Sequence, residues 1–451
     1  MPDPADIAAF RYGHGLPLPE GAPVTAVAML ERLAGPDRAA ALWPAPGPQD
    51  ILDRQGEAAL LRRALRKDPD RRPEYRDALA AVMRQSEGFA RRLIARSLDT
   101  PDGLRERLAW FWSDHFTTGV RFRHDLELVG GLHEHSVRPH LAGRFADMLR
   151  AALLHPAMLL YLDQNASIGP NSPAGRNRGA GLNENLAREA IELHTLGVGA
   201  AYAQEDVRQL AELLTGVTHE PGKGMVFEDH RAEPGAETVL GRSYSGEGLA
   251  PVTAVLADLA RRPETARHLS RKLVVHFLSD SPDPALVERM AAAYLAADTA
   301  LLPVYEVMLR DPAAFAGPMA KARQPIEFVI ASLRALGLGG AAGMALGPKP
   351  FRRRRIEPLR GMGQAWAAPS GPDGWPEEIG AWITPQGLGA RIAWSMETPA
   401  LLLHPLSDPH EMAGRCLGSL GSEVLLAVAG RSETRREAVG LILSAPEFNR
   451  R

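Results

Sequence analysis

Apolar residues return at helical spacing along most of this chain, and that periodicity constrains the fold more than any other feature. Within 50–68, Ile51, Leu52, Ala58, Leu60, Leu61 and Leu65 share a recurring face with Arg and Glu between them, the stripe of an amphipathic helix. Residues 74–98 repeat the style and are expected to fold back as its hairpin partner. At Thr100-Pro101-Asp102, a threonine cap, a proline at the first helical position and an early acid predict a helix start. That helix runs through Leu104, Leu108, Phe111 and Trp112 and ends near Phe116. Further helices are expected at 125–137, 139–153, 182–197, 204–216, 250–261, 264–279, 284–296 and 302–310. The pattern continues at 324–336, 353–366, 386–395, 407–418, 421–429 and 432–443, with Asp283-Pro284 and Ser432 as start signals.

Strand signals are scarce. The best lies in 224–242, where 225–227 and 238–240 are expected to pair as a small hairpin across the charged turn 228–237. Gly and Pro cluster in a polar loop at 167–181, a joint at 337–350 and a turn at 369–376 that carries Trp375. No repeat of fixed period is present. The expected fold is mainly α: a large, bundle-like helical body over 1–336 with one small β-hairpin excursion, and a smaller C-terminal helical part over 351–451. The joint at 337–350 separates the two, which can also close into one compact unit.

Acidic and basic residues nearly cancel, 54 against 52, for a formal net charge of -2. That argues against a general nucleic-acid binder, which needs a basic surplus. The single cysteine, Cys416, excludes an intramolecular disulfide. The longest apolar runs fall far short of the ~20 residues that span a bilayer, so no membrane insertion is expected. The first residues, MPDPADIAAFRYGHG, lack a basic segment followed by an apolar run, and a cytoplasmic chain is expected on that ground. Export in the company of a partner is the alternative.

One helix is unusually polar: NENLAREAIELHTLG, at 183–197. At 3.6 residues per turn, Glu184, Arg188, Glu192, Asn185 and Glu189 fall within about 140° of its circumference. Glu184–Arg188 and Arg188–Glu192 are both i,i+4 pairs, and a solvated, salt-bridged face is the plain reading. A buried ion-paired network is the second. The third is a functional face, in which clustered carboxylates tune one another for acid–base work or bind a metal. Against the metal, helical carboxylate sites place Glu and His three apart on one face, whereas Glu192 and His194 diverge by roughly 200°. No zinc-type spacing occurs either, and no metal site or cofactor is assigned.

The blocks Asn183-Glu184-Asn185, Ala187-Arg188-Glu189, Glu192-Leu193, Thr195-Leu196-Gly197, Tyr202, Asp206-Val207 and Thr215-Gly216 resemble the signature of the bacterial domain of unknown function 1800 family. Matching blocks run nearly the whole chain: Phe10-Arg11-Tyr12-Gly13, Phe111-Trp112, His115-Phe116, Gly143-Arg144-Phe145, His155-Pro156-Ala157-Met158, Leu162-Asp163, Leu240-Gly241 and Arg271-Lys272-Leu273. Gly363-Gln364, Gly374-Trp375-Pro376, Trp382, Arg391 and the tail 444–448 complete them. The family usually has Asn where Asp114 stands, Thr or Ser in place of Ala203, and Trp in place of Val217. The resemblance implies a mainly helical fold but no activity, and an accompanying sulfatase-like protein of the domain of unknown function 1501 family. It also moves the 183–197 face toward the interior.

The favoured expectation is a helical binding or accessory protein with a buried polar network, in which Asn183, Asn185, Arg188, His194, Asp206, Trp375 and Arg391 are structural or ligand-binding. The alternative is a hydrolase using Glu184, Glu189 or Glu192 with Asp163 and His115, with or without a metal. His155, ahead of Pro156, reads as a cap. His133 and His135 point apart on their helix. Trp375 and Trp382 flank an acidic loop; core packing is the favoured reading, and lining a carbohydrate or peptide groove by stacking is the alternative. The run 352–355 of four arginines reads as a solvated surface. His115 and His194 offer haem ligands, but no haem motif accompanies them.

Overall fold

The computed structural model describes residues 2–178 and 181–451. Gly179 and Ala180, within the polar loop expected at 167–181, lie outside the described residues. Helices dominate, joined by short turns, with two small antiparallel two-stranded sheets. No described helix is long and apolar enough to cross a membrane.

Most periodic segments fold as their pattern dictates. Pro48–Ala64 and Arg72–Asp99 pack together as the expected hairpin. Pro284–Ala296 starts where Asp283 accepts from Ala285 and Leu286, and His155 Nδ1 caps Pro156–Tyr161 through Ala157 N at 3.1 Å. Several boundaries differ. Asp102, not Thr100, caps Gly103–His115, while Thr100 Oγ1 accepts from Asp102 N one turn earlier. Thr434 rather than Ser432 starts Arg435–Ser444. The helix expected from 139 begins at Phe145. Pro385–Leu402 continues past 395 with Pro399 inside it, and the expected 167–181 loop holds a short helix, Pro173–Arg178.

The hairpin pairing is corrected. Val217–Glu220 pairs with Gly224–Phe227, and Glu237–Val239 pairs with Arg242–Tyr244, so the segments at 225 and 238 belong to separate ribbons. The two-residue turn explains the second. Leu240 and Gly241 both have positive φ, 51° and 79°, the backbone of a type I′ hairpin turn. Asp206 Oδ1 fixes that costly leucine by accepting its N–H at 2.7 Å.

Two apolar clusters form the interior. The first gathers Trp112, Phe145, Leu149, Leu186, Ile191, Leu273, Tyr294 and Tyr305. The second joins Phe89, Leu93 and Leu98 of the long Arg72–Asp99 helix to Phe328, Leu333, Phe351, Trp394, Met412 and Phe448. Helix Pro325–Ala335, apolar on most sides, is buried along all 11 residues, as a helix without a solvent face must be.

Between the clusters runs a buried ionic network. Arg107 pairs with Glu327, and Arg451 Nε lies 2.9 Å from the other Glu327 oxygen. His276 Nδ1 donates to Glu377 Oε1 at 2.5 Å, and its Nε2 accepts from Arg107 at 3.2 Å. Lys321 pairs with Asp280 and donates to the Glu377 carbonyl at 2.5 Å. Mutual pairing offsets part of the cost of desolvating these charges. Burial raises the Glu377 carboxyl, but His276, Arg451 and Lys321 outweigh it and hold the group at about 2.

Candidate functional site

Helix Gly103–His115 divides its residues between core and cleft. Leu104, Leu108, Phe111, Trp112 and His115 are buried on one side, where the Trp112 indole donates to Tyr305 at 2.7 Å. Trp110, Ser113 and Asp114 lie on the other side, at helical spacing. With Thr117 and Thr118 just beyond the helix end, they form one wall of a cavity. Phe89, Val129, Leu132 and His133 form a second wall, and Trp366, Ala367, Pro369 and Trp375 a third. The cavity has about 70 Å³ of room for water within about 550 Å³ of empty space that includes its mouth.

Trp110, Trp366 and Trp375 are all half-buried, keeping aromatic surface free at the cavity. Trp110 and Trp366 stack with centroids 6.4 Å apart, and Phe89 lies 5.6 Å from Trp366. Ala367, next to Trp366, holds a positive φ of 50°, an uncommon backbone for a residue with a Cβ.

Asp114 supplies the cavity's carboxylate. Its two oxygens accept the Trp375 backbone N–H at 3.1 and 3.2 Å. Burial, reinforced by Glu377 and Asp373 and opposed by Lys272 and that N–H, raises the carboxyl to about 7. Among the described residues Asp114 has no ion-pair partner. The nearby ammonium of Lys272 is turned to His115 instead, 3.1 Å from Nδ1. Ser113 Oγ and His133 Nδ1 share a hydrogen bond of 2.6 Å, and burial lowers that imidazole to about 4. Thr118 Oγ1 is buried without a partner.

The polar helix, Asn185–Glu192, is shorter than expected. Thr195 Oγ1 caps the Ala190 carbonyl at 2.6 Å, and Gly197 turns the chain with φ 91°. A Cβ at Gly197 would sit 2.7 Å from His268 Nδ1. Asn183 Oδ1 accepts from Asn185 N at 2.9 Å, while its amide donates to the carbonyls of Leu162 and Asp163 at 3.3 and 3.0 Å. Asn185 itself is exposed. Arg188 reaches Glu184 and Glu192, each at 3.1 Å, and Gln204 joins Glu184 at 2.7 Å. These side chains are 22–38% exposed, so the expected buried network is not on this face. It lies in the Glu327–Glu377 cluster instead.

Residues 25–450 match a family model described as a protein of unknown function (DUF1800). The chain belongs to the DUF1800 family. No curated protein and no solved structure matches it. In this DUF1800 protein the signature blocks have visible physical roles. Asn183 and Thr195 tie off the polar helix, and Asp206 caps Gln204–Leu213 through Ala203 N at 2.8 Å, the half of the cap that survives without a hydroxyl at 203. Gly374 approaches Asp114 so closely, at φ 83°, that a Cβ would lie 2.7 Å from its carbonyl oxygen.

The acids proposed from sequence do not meet at one point. Glu184 and Glu192 are held by Arg188, and Asp163 pairs with Arg121 on the surface at 3.1 Å. Glu189 has no hydrogen-bond partner among the described residues, and burial, with Glu192 and Asp373 adding to it against Arg188, raises its carboxyl. His115 is buried and packs against His194, 5.5 Å between rings. Its Nε2 donates to the His194 carbonyl at 3.3 Å, and burial keeps both imidazoles neutral, His194 at about 3. Arg391 is buried, donating to Asn449 at 2.9 Å and to the Arg323 carbonyl at 2.7 Å. Trp382 is buried with its indole on the Pro376 carbonyl, so only Trp375 of that pair faces the cavity. In the arginine run, Arg352 and Arg353 are exposed but Arg355 is buried. Among the described residues no three His, Cys, Asp or Glu gather closely enough to hold a metal ion. Sequence reasoning missed Trp110, Ser113, Asp114, Thr118 and Trp366 as cavity residues and Lys272 as a charge beside them.

Proposed function

We propose that this DUF1800 protein is a small-ligand binding protein whose ligand enters the tryptophan-lined cavity and meets Asp114 at its polar end. The observation that carries this reading is the convergence of three half-buried tryptophans on one half-buried carboxylate that has no ion-pair partner among the described residues. Small-molecule sites combine largely apolar walls with few polar groups, and often a titratable group away from its ordinary value. The test is the indole N–H spectrum of tryptophan-labelled protein during titration with benzyl alcohol. The Trp366 and Trp375 signals, assigned with single Phe variants, are expected to shift saturably while buried Trp112 and Trp382 stay fixed. Unmoved Trp366 and Trp375 signals at saturating ligand would contradict the proposal.

One observation favours a hydrolytic alternative: Glu189 has no hydrogen-bond partner among the described residues and its carboxyl is raised. Cleavage of p-nitrophenyl acetate that is abolished by Glu189→Gln, in protein of unchanged circular dichroism, would support it. Equal rates in both proteins would remove it.

A further inference from the structure

The Asp114 end of the cavity holds a carboxylate that has no ion-pair partner among the described residues. The Ser113 hydroxyl is committed to His133 at 2.6 Å, the Lys272 ammonium to His115 at 3.1 Å, and the Trp375 backbone N–H to Asp114 itself. What remains is the carboxylate of Asp114 and the buried Thr118 hydroxyl, which has no partner among the described residues. A ligand that brings N–H groups meets two acceptors.

Charge and aromatic surface point the same way. Asp373 and Glu377 add negative potential at Asp114 and Lys272 opposes it, while Glu377's share is reduced by its own pairing with Arg451 and Lys321. Trp110, Trp366, Trp375 and Phe89 line the walls, and the negative faces of indoles attract cations within about 6 Å. The enclosed room is about 70 Å³, and it opens through its mouth into about 550 Å³ of empty space.

We infer that the cavity binds the protonated amine head group of a small ligand, with Asp114 as its counter-ion, Thr118 as a second acceptor and the tryptophans around its alkyl carbons. This inference rests on the binding reading above and names the class of ligand. The groups facing Asp114 are Lys272 from helix Pro263–Phe277, Asp373 and Glu377 from the loop carrying Trp375, and neutral His133 across the cavity. An ammonium therefore binds the ionised form of Asp114 and displaces its proton. Affinity rises about tenfold between about pH 6 and about pH 8, as that carboxyl ionises.

The experiment titrates tryptophan-labelled protein with isopropylammonium and with its uncharged counterpart, isopropanol, following the Trp366 and Trp375 indole signals. The expected result is binding of the cation at least about tenfold tighter than the alcohol, with the preference reduced to within about threefold in Asp114→Asn, a near-isosteric change. Equal affinity of the two probes for the native protein would overturn the ammonium inference and leave the binding reading standing. No shift with isopropylammonium, isopropanol or benzyl alcohol would overturn both. A cation preference that persists in Asp114→Asn would overturn the assignment of Asp114 as counter-ion.

Discussion

The backbone N–H of Trp375 points between both carboxylate oxygens of Asp114, at 3.1 and 3.2 Å. This contact joins a helix near residue 110 to a loop more than 250 positions later, and it sets the polar end of the tryptophan cavity. Its geometry depends on Gly374, which lies against Asp114 with a backbone that only glycine adopts readily.

Gly374→Ala tests that dependence. The new Cβ would collide with Asp114 and force a positive φ on alanine, so the variant is expected to lose about 1–3 kcal/mol in urea unfolding. The Trp375 indole signal should move with it. Native stability and an unchanged Trp375 signal would show that the close approach is dispensable.

The loop is held from behind by Glu377. Its carboxyl lies near 2 against an ordinary 4.5, so the group is ionised more readily in the folded chain than in the unfolded one. The stabilisation is complete above the unfolded value and is lost as pH falls from 4.5 towards about 2. Glu377→Gln is expected to cost roughly 2–4 kcal/mol at neutral pH, with the deficit shrinking in acid. A deficit that is the same at neutral and low pH would show that packing, not charge, is what Glu377 contributes.

The signature helix makes a contrasting prediction. Arg188 bridges Glu184 and Glu192 where all three side chains are partly exposed, and exposed pairs contribute about 0–1 kcal/mol each. Asn183 caps the helix and ties it to the preceding turn through Leu162 and Asp163, a role worth about 1–2 kcal/mol. Asn183→Ala should therefore lower the unfolding midpoint more than Arg188→Ala. The reverse order would restore Arg188 as the centre of a load-carrying network.

Much of the helical architecture was legible because a period of 3.6 residues is a local property. The hairpin partner was not, since strand pairing at 217–244 depends on the positive-φ turns at Gly222 and Leu240-Gly241 rather than on apolar pattern alone. The end of the polar helix was misplaced because Thr195 and Gly197 continue its pattern while terminating its hydrogen bonds. Trp375 reads from sequence as a core residue first and a groove residue second, and Trp110 and Trp366, which line the same cavity, are brought to it only by tertiary folding. Trp110, Ser113 and Asp114 do share a helical face in the sequence. A mixed polar and aromatic stripe of that kind reads as ordinary surface until a third wall is seen to cover it.

The most direct measurement is the titration of the Asp114 carboxyl carbon by NMR, with and without benzyl alcohol, assigned by Asp114→Asn. The ordinary aspartate value is 3.8, and the cavity is expected to hold Asp114 at about 7. Because this acid is raised on folding, ionising it costs stability, and the native state weakens as pH rises between those two values. Benzyl alcohol in the cavity should displace the midpoint and the Asp114 signal together. A midpoint near 3.8 that ignores benzyl alcohol would contradict the account, since Asp114 would then be an ordinary hydrated carboxylate and not the polar end of a binding site.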